Sequence, residues 1–306
     1  MTGFTERVAA MGDDSGLVGV LALPEARPGA EGGTCVIILG AGLVHHVGPN
    51  RLMVRLARRL AERGYPAIRF DHRGIGDSGP RRDDTSFEVG AIAECREVMD
   101  HMAANENCDQ FVLLGLCSGA DTALRVAAVD TRVVGAVMIN GVGQGQGVDQ
   151  AWDTYEYVRG QTRHYVRRSL FNLDSWWRAL TGRIQYRRLF GILFRAVRDR
   201  LVPPKTVVSA AQQVAADIAG VMERGTRLLW VQSEGDASQT YLETMLGKSS
   251  QRLLASGRAE LVVIPHNDHL LTARHGQQRL IELTEQWIAS ASSGARGEVG
   301  AHGAAR

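Results

Sequence analysis

The sequence predicts an α/β fold with a doubly wound, mostly parallel sheet and an inserted helical lid. Continuous apolar runs at 34–39, 111–114 and 132–139 are typical of strands that are buried on both faces of a parallel sheet. Helical patterns lie between these runs, and strands that alternate with helices pair in parallel. The alternation stops only between residues 150 and 205, where a helical segment rich in aromatic residues is inserted.

The elements follow one another along a single large domain. Strands are predicted at 16–23, 34–39, 66–70, 111–114, 132–139, 227–232 and 260–264. Helices are predicted at 50–63, 85–105, 120–129, 239–255 and 270–289. Residues 1–15 show no clear pattern, and the small and polar residues from 290 onward are typical of disorder. The expected domains are a core at 1–140 and 206–290, a helical lid at 141–205 and a disordered tail at 291–306.

The composition is that of a soluble globular protein, with 44% hydrophobic and 22% charged residues among 306. The net charge is only +2, but residues 151–200 contain eleven arginines and four acidic residues, a net charge of +7. The excess arginines either lie on a solvated surface of the lid or attract a ligand that carries phosphates or an acidic surface. No nucleic-acid partner is predicted.

The four cysteines (Cys35, Cys95, Cys108 and Cys117) do not have the spacing of metal ligands, so no metal and no cofactor are predicted. Their distribution favours reduced thiols and a cytoplasmic location over a disulfide framework. No apolar run reaches the roughly 18 residues of a membrane span. The N-terminus has no basic region followed by an apolar core, so no signal peptide is predicted.

The segment Gly115-Leu116-Cys117-Ser118-Gly119 joins a predicted strand to a predicted helix. A strand, then Gly-x-nucleophile-x-Gly, then a helix is the pattern of a nucleophile elbow. The glycines are needed because side chains there would collide with the neighbouring strand or helix. Cys117 is therefore the predicted nucleophile, and a buried structural thiol is the alternative. Ser118 fits the centre less well, because Leu116 is too large for the flanking position.

A second glycine pattern, G-x-G-x-x-G, is formed by Gly74, Gly76 and Gly79. The dinucleotide-binding fingerprint opens directly into a helix. Here residues 80–84 come before any helical pattern, so the sequence predicts a structural loop.

Four motifs together resemble the α/β-hydrolase superfamily over residues 15–290. They are the elbow, DHRGIGDSG at 71–79, SEGD at 233–236 and PHNDH at 265–269, in the family's order of nucleophile, acid and histidine. The chain looks like the serine-aminopeptidase-like branch, with cysteine in place of the nucleophilic serine. Its AGLVHHVGPNRL stretch is similar to hydrolases found with exosortase and exopolysaccharide systems.

The resemblance implies that Asp236 is the acid and His269 the base of a triad with Cys117. Glu234 and His266 remain alternatives for these two roles. The backbone N–H of Ser118 is the expected first oxyanion donor. Gly40-Ala41-Gly42 replaces the usual His-Gly of the oxyanion loop, so the second donor is left open among Ala41, Gly42 and Leu43. Candidate pocket residues are His45, His46, Trp152 and Trp176.

A Cys-His-Asp triad transfers acyl groups through a thioester acyl-enzyme. The first hypothesis is hydrolysis of a carboxylic ester or thioester with a small-molecule acyl substrate. The second is acyl transfer from coenzyme A or a carrier protein to an amine or alcohol, because amines attack thioesters readily. Family members with a cysteine elbow include dienelactone hydrolases, polyhydroxyalkanoate synthases and bile-acid amino-acid acyltransferases. The third is a non-catalytic binding protein. The acyl group, the acceptor and the oligomeric state are left open.

Overall fold

A computed structural model describes residues 3–12, 16–25, 33–141, 205–236, 238–239, 242 and 254–303. These residues form an eight-stranded sheet flanked by helices. The strands are β1 (Phe4–Met11), β2 (Leu17–Pro24), β3 (Gly33–Leu39), β4 (Ala67–Phe70), β5 (Cys108–Leu116), β6 (Val133–Ile139), β7 (Arg227–Ser233) and β8 (Ala259–Ile264). The helices are α1 (Leu52–Glu62), α2 (Phe87–Glu106), α3 (Ser118–Val129), α4 (Lys205–Glu223) and α5 (Arg274–Gly303), with a 3₁₀ turn at Pro49–Arg51.

The central strands β3, β5, β6 and β7 are buried along nearly their whole length, as their apolar sequences predict. Successive side chains of a strand point to opposite faces of the sheet. One face forms a core cluster with α1 and α5, whose members include Val36, Ile38, Val112, Leu114, Val137, Leu229, Leu56, Leu60, Leu280 and Ile288. Helices α2 and α3 contact each other and contribute no residue to this cluster, so they cover the other face.

The strand order is β1-β2-β4-β3-β5-β6-β7-β8. Every neighbouring pair from β4 to β8 is parallel, whereas β2 pairs antiparallel with both β1 and β4. The predicted mostly parallel sheet is therefore confirmed. Because parallel strands end at the same edge, the loops after β3, β5, β6, β7 and β8 meet there. That edge is where open α/β sheets bind their ligands.

Strand β1 lies where the sequence shows no clear pattern, so the expectation of an irregular start is wrong. β1 is an edge strand, and only Ala9 and Met11 of it are buried. Its backbone pairs with β2 along all eight residues. The side chain of Glu6 accepts a hydrogen bond of 2.6 Å from Arg58 Nη2. An edge strand held by backbone bonds and ion pairs has little apolar periodicity, and this explains why the pattern failed.

The helices differ from the expectation at the end of the chain. α5 runs from Arg274 to Gly303, so the structure has a helix where the composition favours a disordered tail from 291. Extending a helix adds one hydrogen bond per residue without a new nucleation step, so weak helix formers can follow a well-packed beginning. None of the described helices combines the length and apolar character needed to cross a membrane.

Helix α4 covers residues for which no element was predicted. The predicted helix at 239–255 lies mostly outside the described residues, as does the predicted lid at 141–205. Contacts divide the chain into two compact units, 1–143 with 217–306, and 144–216.

A disulfide joins Cys35 in β3 to Cys108 at the start of β5, with Cα atoms 5.8 Å apart. The two residues are 73 positions apart in the chain, and the pairing of β3 with β5 places them on neighbouring strands. The expectation of four reduced thiols is wrong for this pair, because strand pairing and not spacing decides which cysteines meet. The cysteines therefore no longer argue for a reducing compartment. Cys95 and Cys117 are free thiols.

Gly115 allows β5 and α3 to approach closely around Cys117, since a Cβ there would clash with the backbone of Gly119 and Ala120. We expect Gly115→Ala to lower the free energy of unfolding by about 2 kcal/mol, a usual loss for overpacking. Urea unfolding measures this loss. Gly33→Ala in β3 is the matched control, because nothing lies within 4 Å of its Cβ position. Equal losses in the two variants would contradict the close approach.

Candidate functional site

Cys117 stands at the turn between β5 and α3, with φ 55° and ψ −121°. This backbone conformation is rare for a residue with a side chain, and surrounding contacts must maintain it. The N–H of Cys117 donates to the carbonyl of Ile139 in β6 at 2.8 Å. A Cβ on Gly119 would lie 2.6 Å from the carbonyl oxygen of Leu39, so only glycine fits between α3 and β3. The structure therefore has the backbone geometry that the elbow pattern predicts.

The structure brings Cys117, His269 and Asp236 together at the carboxyl edge of the sheet. Asp236 follows β7, and its Oδ2 lies 3.0 Å from Nδ1 of His269, which follows β8. The Cys117 side chain interacts with the same imidazole and contributes to raising its pKa. Because Nδ1 faces Asp236, Nε2 is the ring nitrogen left for the thiol. The carboxylate is mostly buried, whereas the imidazole is 41% exposed.

The electrostatics favour an ionised acid and a protonated histidine. Hydrogen bonds to Asp236 and to Cys117 raise the pKa of His269 to about 10, against the opposing effect of burial. Burial raises the pKa of Asp236, but hydrogen bonds from His269 and Ser238 outweigh it and lower that pKa below its usual value. Ser238 donates to Asp236 Oδ1 through its backbone N–H at 2.9 Å and its hydroxyl at 2.5 Å.

The alternative acid and base pair with each other instead. Oε2 of Glu234 accepts a hydrogen bond from the N–H of His266 at 3.2 Å and lies 3.8 Å from that residue's Nδ1. The His266 side chain is 87% exposed. This geometry favours His269 and Asp236 over His266 and Glu234 for the site.

The loop predicted to be the oxyanion loop, residues 40–43, lies beside the start of α3. The N–H of Gly42 donates to the hydroxyl oxygen of Ser118 at 2.6 Å. Gly42 has φ 50°, which favours glycine, and Ala41 is buried with its carbonyl accepting from Val44 N–H at 2.9 Å. The loop is therefore close enough to the elbow for its amides to serve there, and Ser118 contacts it through its side chain.

His45 and His46 lie beyond the oxyanion loop. His46 is buried, with Nδ1 2.7 Å from Asp71 Oδ2, and its backbone N–H donates to Oδ1 at 2.6 Å. Nε2 of His45 lies 3.2 Å from Asp77 Oδ2 and 3.5 Å from Asp71 Oδ2. Burial raises the pKa of Asp71, but bonds from His46 and from the Asp77 N–H outweigh it and lower that pKa. Burial favours a structural role for His46, and the assignment of both histidines to a substrate pocket stays a prediction.

Among the described residues, one group of side chains could hold a metal ion: His45, His46, Asp71 and Asp77. Their ligand atoms lie within 4.8 Å of one another. The carboxylate of Asp71 already accepts two backbone N–H groups and the imidazole of His46. Hydrogen bonding therefore accounts for the arrangement without an ion. The same loop contains the G-x-G-x-x-G pattern, which the structure closes with a bond from Gly74 N–H to the carbonyl of Gly79 at 2.8 Å. The next helix, α2, begins only at Phe87.

Asn140, at the end of β6, is a site residue that the sequence did not indicate. Its side-chain amide donates to the carbonyl of His269 at 2.7 Å and to the hydroxyl of Ser233 at 3.0 Å. Its Oδ1 accepts from the Ser233 N–H at 2.7 Å, and the Ser233 hydroxyl donates to the carbonyl of Asp268 at 2.8 Å. This network fixes the histidine loop to β6 and β7. The sequence signal that could have indicated Asn140 is a polar residue directly after an apolar strand. Trp152 and Trp176 lie outside the described residues.

Comparisons with known proteins agree with this architecture. A model described as an alpha/beta hydrolase family matches residues 22–283. An esterase of Pyrococcus furiosus is 14% identical with a TM-score of 0.57, covering 94% of this chain and 91% of that one. A dienelactone hydrolase of Anabaena variabilis is 13% identical with a TM-score of 0.55, covering 94% and 98%. Est1E of Butyrivibrio proteoclasticus is 14% identical with a TM-score of 0.54, covering 94% and 98%. The comparison with curated proteins found no match.

Asn140→Ala removes the amide that joins Ser233 to the histidine loop. We expect it to lower the free energy of unfolding by about 2 kcal/mol, because buried partners are left unpaired. Amide exchange at residues 266–271 should become faster. Urea unfolding and hydrogen-exchange mass spectrometry measure the two effects. Asn50→Ala is the matched control, since Asn50 shares the left-handed backbone but is exposed. Unchanged exchange in Asn140→Ala would contradict the assigned role.

Proposed function

The chain belongs to the alpha/beta hydrolase family, and we propose that it hydrolyses a carboxylic ester or thioester through an acyl-enzyme on Cys117. The observation that carries this proposal is the grouping of Cys117, His269 and Asp236 at the carboxyl edge of the sheet, where His269 Nδ1 lies 3.0 Å from Asp236 and both neighbours raise the pKa of the imidazole. A thiol, an imidazole and a carboxylate in this order form a nucleophile, a base and a group that orients the base. The proposed substrate is a small molecule with an acyl group.

Acylation begins when the Cys117 thiolate adds to the substrate carbonyl carbon. A C–S bond forms, and the carbonyl electron pair moves onto the oxygen. His269 is protonated at neutral pH, because its pKa is raised to about 10, so its ring carries the proton that the leaving group needs. When the tetrahedral intermediate collapses, the leaving alkoxide or thiolate takes a proton from Nε2 of His269. The acyl group is then a thioester on Cys117.

In deacylation His269 accepts a proton instead of donating one. The neutral Nε2 of His269 accepts a proton from water as that water attacks the thioester carbonyl. The second intermediate collapses, the C–S bond breaks and the carboxylic acid leaves, so Cys117 returns to its thiolate beside a protonated His269. Asp236 stays ionised throughout, since hydrogen bonds hold its pKa below the usual range. Its carboxylate accepts a hydrogen bond from Nδ1–H and keeps the ring oriented.

Acyl transfer is the second candidate function. It is supported by the net charge of +7 at residues 151–200, a segment suited to an acyl donor with phosphates, such as coenzyme A, or to an acidic carrier protein. Both functions share the acyl-enzyme on Cys117 and differ in the acceptor. Intact-mass spectrometry after incubation with acyl-CoA or a p-nitrophenyl ester detects that adduct. Release by water alone supports hydrolysis, whereas release only with an added amine or alcohol supports transfer.

Cys117→Ala is expected to abolish the adduct and to lower kcat by at least about 10⁴-fold, because the nucleophile is absent. His269→Ala should lose a similar amount, since the two groups act as one unit. Steady-state kinetics and intact mass measure these losses. The control is Cys95→Ala: Cys95 is buried, and this burial raises the pKa of its thiol. Full turnover by Cys117→Ala, or an adduct on another residue, would refute the assignment of the nucleophile. Neither turnover nor an adduct in the wild type would fit a non-catalytic binding protein.

Asp236→Asn should shift the pH dependence of kcat/KM. Hydrogen bonding to Asp236 is the largest cause of the raised pKa of His269. Its loss moves that pKa down toward about 6.5. The alkaline limb, where His269 loses its proton, should move from about pH 10 in the wild type to a lower pH. Asp268→Asn is the matched control, because this neighbouring carboxylate bonds to Leu270 and Thr272. The same alkaline limb in wild type and Asp236→Asn would exclude the proposed coupling.

A further inference from the structure

We propose that the side-chain hydroxyl of Ser118 is itself a catalytic hydrogen-bond donor to the oxyanion formed at Cys117. At the residue after the nucleophile, the family pattern uses only the backbone N–H for this task, and the second donor is a backbone N–H of the oxyanion loop. The inference rests on the proposed acyl-transfer function, and it adds a donor that depends on the identity of residue 118.

The bond between the oxyanion loop and Ser118 defines the direction of the hydroxyl. The N–H of Gly42 donates to Ser118 Oγ at 2.6 Å. A serine hydroxyl has one proton to donate and lone pairs to accept with. Because the N–H of Gly42 takes an accepting position, the hydroxyl proton is left to be donated elsewhere. Accepting one hydrogen bond also polarises a hydroxyl and strengthens the bond that it donates.

The bond has a further consequence for the loop. Gly42 is one of the residues expected to present its N–H to the oxyanion directly, yet in this structure that N–H is directed at the Ser118 oxygen. The partial positive charge of the Gly42 N–H therefore acts on the site through the Ser118 hydroxyl. Gly42 acts on Ser118 as a positioning residue, and Ser118 contacts the reacting atom.

The position of Ser118 suits this task. It is bonded directly to Cys117 and is the first residue of α3, so its backbone N–H has no acceptor inside the helix. The oxyanion belongs to the carbon that is bonded to the Cys117 sulfur. Both donors of Ser118 therefore lie one residue from the point where negative charge develops, and hydrogen bonds to developing charge are the main contribution of an oxyanion hole.

The hydroxyl does not serve the usual purpose of a serine at a helix start. Cys117 is the N-cap of α3, and no side-chain capping bond is present there. The Ser118 hydroxyl instead contacts a residue 76 positions away in the chain. Thr122, one turn further along α3, donates its own hydroxyl to the Ser118 carbonyl at 3.1 Å. Thr122 therefore provides a matched hydroxyl on the same helix, and its hydrogen bond stays within α3.

The test compares Ser118→Ala, Ser118→Thr and Thr122→Val. We expect Ser118→Ala to lower kcat for p-nitrophenyl butyrate by about 10- to 100-fold with little change in KM, somewhat less than the loss of a complete oxyanion donor. Ser118→Thr should recover most of this loss because it keeps the hydroxyl, and Thr122→Val should match the wild type.

A trifluoromethyl ketone reports on the oxyanion itself. Addition of the Cys117 thiolate to this ketone gives a hemithioketal, and ¹⁹F NMR at different pH values measures the pKa of its hydroxyl. We expect that pKa to rise in Ser118→Ala by about one unit or more, which corresponds to a roughly tenfold loss of stabilisation of the anion relative to its protonated form. Alkylation of Cys117 by iodoacetamide forms no oxyanion, so its rate should be the same in all variants.

An unchanged kcat in Ser118→Ala would overturn the proposal. An increased kcat would also overturn it, because it would mean that the hydroxyl blocks the Gly42 N–H. A lower kcat with an unchanged hemithioketal pKa would also overturn it, since the hydroxyl would then only hold the loop. Failure of the proposed function looks different. In that case the wild type forms neither the hemithioketal nor an acyl adduct on Cys117, and the variants at position 118 form neither as well.

Discussion

The close approach of Gly119 to the end of β3 is the contact on which the site depends. The Gly119 Cα faces the carbonyl oxygens of Leu39 and Gly40, with no room for a side chain. This contact sets the start of α3 beside the oxyanion loop, and it forces the chain to turn sharply at Cys117. The unusual backbone angles of Cys117 are then maintained by bonds on both sides, including the one from its N–H to Ile139. The strained backbone of Cys117 is thus supported by packing of the central sheet.

The histidine loop is positioned by a separate set of contacts. No helix or strand contains His269, so its backbone needs partners that a loop does not supply by itself. Asn140 and Ser233 provide them, by binding the carbonyls of His269 and Asp268. These partners come from the ends of β6 and β7. Asp236, His269 and the residues that support them are therefore held by neighbouring parallel strands, and a shift of one strand would affect all of them.

Among the carboxylate–histidine pairs at the carboxyl edge, Asp71–His46 and Asp236–His269 have different surroundings. Asp71 and His46 are both buried, and the carboxylate is surrounded by backbone N–H groups, so this pair fixes the loops after β3 and β4. The imidazole of His269 is partly exposed and reaches a thiol. Exposure of the ring to incoming substrate is what suits the second pair to chemistry, and burial suits the first to structure.

The sequence by itself determined the features that depend on local pattern. The buried strands β3, β5, β6 and β7 follow from continuous apolar runs, and the turn at Cys117 follows from its flanking glycines, since these patterns are contiguous in the chain. Tertiary structure decided what depends on residues far apart. It paired Cys35 with Cys108, it added β1 as an edge strand without an apolar pattern, and it joined Asn140 to the histidine loop. It also directed the N–H of Gly42 to the Ser118 hydroxyl. The physical reason is that hydrogen bonds and disulfides between distant segments require a particular register of neighbouring strands, and a single segment contains no information about its neighbour's register.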